Sequence, residues 1–210
     1  MIELIRIVED QARLSSYRAT QNEERAIQLE LMIEKTKPKN FHLDWHTLIA
    51  TPFRYNPPHP SARFRPPFGK NVFYASCAEE TALYEHAFHF MRERIHLDIQ
   101  TETGIRTLFS VAADHSQAID IRHNSKCKKI INKIDYSASY EFIKTNPNIT
   151  FIFYPSCRDP HHRDNAAIFD IKHLEKTLKK ESSIKFFYDN PSKKLTWIDY
   201  HLHINWKEVS

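Results

Sequence analysis

Asn71-Val-Phe-Tyr-Ala-Ser76, followed by Thr81-Ala-Leu-Tyr-Glu85, decides how this chain is read. The first part is apolar, aromatic and short, as a buried strand should be. The second part changes period. Ser76 with Glu79 three residues on makes a capping-box pattern, so a helix is expected to open at Ser76 and run to about Arg94. Leu83, Ala87, Phe90 and Met91 form its apolar stripe. Glu85 lies about 200° around from Leu83 and points away from that stripe. The predicted unit is a buried strand running into a helix, with one carboxylate turned off the helix's buried face.

Working outward, residues 107–113, 118–121, 150–154, 166–169, 184–188 and 195–200 read as further strands, and 125–133 and 137–145 as helical. Upstream, residues 52–55 look like a short strand entering a proline-rich loop with Pro57, Pro58, Pro60, Pro66 and Pro67. Such a loop is stiff and loses little entropy on holding one shape, and it carries Arg63 and Arg65. Residues 1–36 read as a helical hairpin, with Leu4, Ile7, Leu14, Ala26, Leu29, Leu31 and Ile33 at helix-like intervals, ending in the Lys37–Asn40 stop. The expected fold class is α+β. A mixed β-sheet core with short helices spans residues 47–210, and an N-terminal helical extension spans 1–46.

Composition excludes several functions. Among 210 residues there are 2 glycines, Gly69 and Gly104, against 11 prolines, so neither a Rossmann fingerprint nor a P-loop can be built. A net charge of +4 allows an anionic ligand without demanding nucleic acid. No recognition-helix or RNP-like pattern appears, so a nucleic-acid-binding module is the weaker alternative and no direct nucleic-acid contact is expected. Cys77, Cys127 and Cys157 make an odd set with no close pair, which speaks for a reducing compartment. The start carries acids in its first ten residues, unlike a signal peptide, and no window approaches the ~20 apolar residues of a membrane span. A cytoplasmic protein without membrane contact is expected.

Three stretches embed polar residues in apolar strands: Thr51-Pro-Phe-Arg-Tyr55 with Ser61-Ala-Arg-Phe64; Val72-Phe-Tyr-Ala-Ser76 with Thr81-Ala-Leu-Tyr-Glu85; and Ile152-Phe-Tyr-Pro-Ser-Cys-Arg-Asp159 with Asn165-Ala-Ala-Ile-Phe169. Their order and wording resemble the RES domain, named for Arg, Glu and Ser. That family runs phe-arg-tyr, gly-x-arg-trp, val-leu-tyr-ala-ser, thr-ala-leu-x-glu and tyr-pro-ser-x-arg, then an Asn before the last core strand. Phe64 stands where the family has Trp, no glycine precedes Arg63, and Arg65 lies close enough to compete for its role.

The resemblance implies a fold related to ADP-ribosyltransferases and an enzyme that degrades NAD⁺ as its substrate, with no resident cofactor or metal. It further implies a toxin neutralised by an Xre-type antitoxin carrying a helix-turn-helix. Position by position it makes Arg63, Tyr74, Glu85 and Ser156 catalytic candidates, and Arg54, Tyr55, Arg65, Ser76, Arg158 and Asn165 substrate-binding ones. The chemistry suits these residue types. Breaking the nicotinamide–ribose bond passes through an oxocarbenium-like state that a carboxylate stabilises. Arginine can grip a pyrophosphate in bidentate fashion. Tyr74 or Tyr55 can stack on nicotinamide, Ser156 can orient ribose or amide, and helix N–H groups after Ser76 favour an anion. The acceptor, phosphate or water, stays open, and a mono-ADP-ribosyltransferase differs only in using a macromolecule. Two rivals are a metal site at His86 and His89, which lacks the HExxH pattern, and a Cys157 thiol nucleophile without a His at family spacing. The N-terminal segment suits packing on the catalytic domain, a partner contact or self-association as a homodimer.

Overall fold

Ile2-Glu-Leu-Ile-Arg-Ile-Val-Glu9 forms a strand, not a helix, and lies in the middle of the sheet. Leu4 and Val8 face one side of that sheet, Ile5 and Ile7 the other, and both sides are packed. A strand buried on both faces needs apolar residues at consecutive positions, which is why helical spacing could be read into it. The computed structural model describes residues 1–10, 22–35, 44–54 and 62–210. In chain order the elements are β1 (Ile2–Glu9), α1 (Glu23–Lys35), α2 (Thr47–Arg54), β2 (Phe73–Ser76), α3 (Glu79–Arg94), β3 (Thr101–Ala113), β4 (Ile119–Asp120), α4 (Cys127–Ile130), α5 (Ser137–Thr145), β5 (Phe151–Pro155), β6 (Asp164–Ile168), β7 (Lys180–Asp189), β8 (Lys194–Trp197), β9 (Leu202–Asn205) and α6 (Trp206–Val209).

The sheet runs β4-β5-β6-β2-β1-β3-β7-β8-β9. The β4/β5 pair is parallel and the other pairs are antiparallel, so the sheet is mixed and the fold is α+β, as expected. One face carries Leu4, Phe73, Ala75, Phe109, Val111 and Ile168, covered by Leu48, Ile49 and Ala50 of α2. On the other face, α3 lays Leu83, Ala87, Phe90 and Met91 against Ile5, Ile7, Leu108 and Phe186. Each such large side chain contributes about 1.5–3 kcal/mol on burial. Farther along that face, Phe64, Val72, Ile152 and Tyr154 pack with Cys127 and Ile130 of α4. The site lies where these two clusters meet.

Several boundaries differ from expectation. Residues 52–54 end α2 instead of forming a strand, because Ile49, Ala50 and Phe53 share a helical face packed on the core and His46 caps the first turn through its ring and carbonyl. Tyr55 and Pro57, Pro58 and Pro60 lie outside the described residues. Ser76 does not cap α3. The N-cap is Ala78, without a side-chain cap bond, and the Ser76 hydroxyl is used elsewhere. The expected strand at 195–200 stops at Trp197 and turns through Ile198–Tyr200 to β9. The N-terminal expectation of helix is met from Glu23, where Ala26 is buried while Leu29 and Leu31 are exposed. Among the described residues no helix is long and apolar enough to cross a membrane.

Candidate functional site

Strand register builds the site. In β6, Asn165 pairs with Ser76 of β2 on one side and Tyr154 of β5 on the other. The Ser76 hydroxyl donates to Asn165 Oδ1 at 2.7 Å, which turns the Nδ2 group outward to donate to Glu85 Oε1 at 2.6 Å. Ser156, just past the end of β5, donates its hydroxyl to the same oxygen at 2.6 Å. Glu85 therefore points off the apolar stripe of α3, as its angular position predicted, and is met by two short donors on one oxygen. Its second oxygen, Oε2, takes no bond among the described residues, and the side chain is half-buried.

The turn that carries Ser156 is braced from within. Its Oγ accepts the backbone N–H groups of Arg158 at 3.0 Å and Asp159 at 2.9 Å, so its own proton is directed to Glu85. Asp159 is buried and accepts from Thr81 Oγ1, Arg163 Nε and the His161 N–H. Burial opposes its ionisation, but these donors outweigh it and hold the carboxyl below the usual range. Thr81, Asp159 and Arg163 thus tie the turn to the first turns of α3, a role with no signature in sequence.

Tyr74 donates its hydroxyl to the Arg63 carbonyl. Burial raises its pKa, against the opposing pull of Arg65 and Arg63, so it stays a neutral donor. The neighbouring Tyr154 is raised as well, by burial and by the Glu85 charge. Arg63 is buried, with Nη1 on the Ile130 carbonyl at 3.2 Å, Nη2 on Cys157 Sγ at 3.0 Å, and its guanidinium 5.1 Å from the centre of the Tyr136 ring. Next to it, Phe64 takes a left-handed backbone (φ 60°) and packs edge-on against Tyr154 at 5.0 Å. A phenylalanine holds that conformation only because burial compensates the strain.

The arginines divide by what they touch. Arg158 sends Nη1 to the Val209 carbonyl and Nη2 to the Lys133 carbonyl, both at 2.7 Å, and stacks 3.5 Å from the Phe88 ring centre. It is 3 % exposed and holds the chain together instead of offering a free edge to a ligand. The Arg65 backbone pairs with Ala62, and its charge reaches Tyr74. Arg54 ends a helix packed on the opposite sheet face and is not among the side chains gathered around Glu85. Tyr55 lies outside the described residues. Of the ten residues singled out from sequence, Ser76, Asn165, Glu85 and Ser156 form one hydrogen-bonded cluster, joined at Ser156 by the Arg158 N–H, while Tyr74 and Arg63 are bonded to each other and reach it through Cys157, next to Ser156 in the chain.

Arg6 was missed. β1 and β2 are bonded at the Ile5–Ser76 pair and then part, and Arg6 sits where they part, its guanidinium 4.8 Å from the Phe73 ring centre. Its Nη1 is shielded from solvent and has no hydrogen-bond partner among the described residues. Burial pulls its pKa down to about 10, with Tyr74 opposing. The available signal was a lone cation inside Leu4-Ile-Arg-Ile-Val8.

The two chemical rivals fare differently from the cluster. His86 accepts from Arg106 Nε at 3.2 Å, and burial, reinforced by that arginine, pushes its pKa down to about 3. Burial also raises the Cys157 thiol, against the opposing Arg63, which leaves it un-ionised and a poor nucleophile. No curated protein matches the chain. Its sequence does match the RES domain family across residues 39–189, more than two thirds of its length and the whole of the Glu85 cluster. The chain belongs to the RES domain family.

Proposed function

We propose that this protein cleaves the bond between nicotinamide and ribose in NAD⁺, with inorganic phosphate or water as acceptor. The observation that carries the reading is the Glu85 carboxylate, fixed through one oxygen by Ser156 and Asn165 while the other oxygen takes no bond among the described residues. A carboxylate so held needs no reorganisation when positive charge develops on the ribose. Its open oxygen suits a ribose hydroxyl or the oxocarbenium face. The C–N electron pair leaves with nicotinamide, and the acceptor oxygen bonds to the same carbon, giving ADP-ribose with release of a proton to solvent when the acceptor is water, or ADP-ribose 1-phosphate when it is a phosphate oxygen.

The other residues serve binding. Ser76 orients Asn165, and Ser156 orients Glu85. Tyr74, kept neutral, offers an aromatic edge beside Arg63. Arg6, whose guanidinium lies over Phe73 with a shielded Nη1, is a further candidate for a pyrophosphate oxygen, because an anion would satisfy a donor that otherwise costs about 1–3 kcal/mol. Family membership supports the further reading of a cytoplasmic toxin neutralised by an Xre-type helix-turn-helix antitoxin.

The experiment is NAD⁺ consumption by the purified protein, with and without phosphate, with products resolved. Nicotinamide release supports the reading, and phosphate dependence decides the acceptor. Label from NAD⁺ on a macromolecule instead would make the enzyme a mono-ADP-ribosyltransferase. NAD⁺ left intact in every condition would defeat the proposal.

A further inference from the structure

Residues 190–210 lie beyond the region matched to the family, yet they return to the turn that bears Ser156. Strands β8 and β9 bring the chain back so that α6 packs on α3. Trp206 stacks on Phe88 with ring centres 5.6 Å apart and planes within 6° of parallel, and Val209 is wholly buried. The helix is fixed at its start by a capping box between Asn205 and Glu208, and the Trp206 N–H donates to the Lys193 carbonyl. Its last carbonyls have no helical partner and carry partial negative charge. One of them, on Val209, accepts Arg158 Nη1 at 2.7 Å.

Arg158 packs on the same Phe88 ring, its guanidinium 3.5 Å from the ring centre, and its other end holds the Lys133 carbonyl. The backbone N–H of Arg158 donates to Ser156 Oγ, and Ser156 donates to Glu85. A bonded path thus runs from α6 through Arg158 and Ser156 to the carboxylate. The guanidinium binds two carbonyls from distant parts of the chain and no carboxylate among the described residues, so its geometry is set by where α6 and residue 133 lie.

We infer that α6 is a positioning element of the active site, acting through Arg158 to hold Ser156 on Glu85, and that Trp206 and Arg158 are its two positioning residues. The inference rests on the proposed NAD⁺ cleavage for its kinetic consequences, but not for its structural ones. Loss of the Trp206–Phe88 stack frees α6, releases Arg158 Nη1, and loosens the Ser156 turn without removing any group that meets substrate. The cost falls on kcat, because small misplacements of reacting groups are expensive, while the NAD⁺ KM changes little.

The test combines amide hydrogen exchange across residues 154–165 with steady-state NAD⁺ kinetics, on the full chain, for Trp206→Ala, Trp206→Phe, Arg158→Lys and the Trp206→Ala/Arg158→Lys double variant. Thermal melts check that each is folded. Trp206→Ala is expected to speed exchange at the Arg158 and Asp159 amides and lower kcat about 10- to 100-fold, and Trp206→Phe to restore both. Arg158→Lys, which cannot reach both carbonyls, gives the same signature, and the double variant is no worse than the more damaging single one. Unchanged exchange in the turn of folded Trp206→Ala overturns the inference, as do fully multiplicative effects in the double variant. If the wild-type protein leaves NAD⁺ intact, the function reading fails on its own and the exchange data still decide the role of α6.

Discussion

Replacing Glu85 by Gln separates the charge of this side chain from its shape. The amide oxygen of glutamine can still accept from Ser156 Oγ and Asn165 Nδ2, both at 2.6 Å in the native site. What is lost for folding is the ionic reinforcement of two bonds, about 1 kcal/mol each, partly offset because a charge no longer has to be held half-buried. For a chain of this size each kcal/mol moves Tm by roughly 2–4 °C, so the melt should drop by a few degrees at most. Catalysis loses much more. A carboxylate about 4 Å from a developing positive charge, at an effective dielectric near 20, is worth about 4 kcal/mol, or roughly a thousandfold in rate. The assay is nicotinamide release at saturating NAD⁺, beside a circular-dichroism melt of the same preparation. A folded variant that retains more than about a tenth of the wild-type rate would show that the Glu85 charge is not used in the transition state.

Gly104 faces Phe186, and an added Cβ would lie 2.7 Å from the ring edge, so Gly104→Ala should destabilise by about 1–3 kcal/mol in a denaturant titration. Phe68 is 84 % exposed with a left-handed backbone (φ 61°), so Phe68→Asn should raise stability by about 0.5–1 kcal/mol, measured the same way, since it relieves strain and gives up no packing. His86 is held neutral, its pKa moved from 6.5 to about 3 chiefly by burial. The unfolded chain therefore binds a proton there before the folded one does. This contribution to stability is complete above pH 6.5 and is lost as pH falls from 6.5 toward 3, at no more than about 1.4 kcal/mol per pH unit. Melts from pH 7 to 5 should fall more steeply for the wild type than for His86→Gln, which keeps an acceptor for Arg106.

The legible parts of the fold are those whose residue types or spacing admit a single reading. The stripe of α3 and the Ser137–Thr145 helix declare their period, β5 is marked by its aromatic run Phe151-Ile-Phe-Tyr154, and β7 by the alternation of buried Ile184, Phe186 and Tyr188 with exposed neighbours. β1, buried on both faces like β5, was not legible because Glu3, Arg6 and Glu9 interrupt its apolar run at three-residue intervals that read as helical. α2 was not legible because Pro52 and the aromatic that follows resemble the start of a strand, and only packing of Ile49, Ala50 and Phe53 on the sheet decides for a helix. Ser76 satisfied a capping pattern on paper, but its hydroxyl sits in the strand and is committed to Asn165.

The site divides along a similar line. Glu85, Ser156 and Asn165 were found through the resemblance to the RES domain, whose motifs place a polar residue of fixed type at each position; the residue types alone would leave Glu85 as a solvent-facing helix residue. The arginines were not sorted, because what sorts them is backbone carbonyls, which have no sequence signature. Arg158 finds one on Val209, 51 residues away, and Arg63 finds one on Ile130, 67 residues away. A guanidinium with both ends occupied by carbonyls has little left for a ligand, whereas one with a shielded, unpartnered Nη1 carries a cost that only an anion or water would remove. By that criterion Arg158 is committed to the scaffold, although motif position alone makes it a ligand candidate. The reason is general to a site assembled across a sheet: a motif fixes where an arginine's Cα lies, and the fold decides whether its charge is already taken.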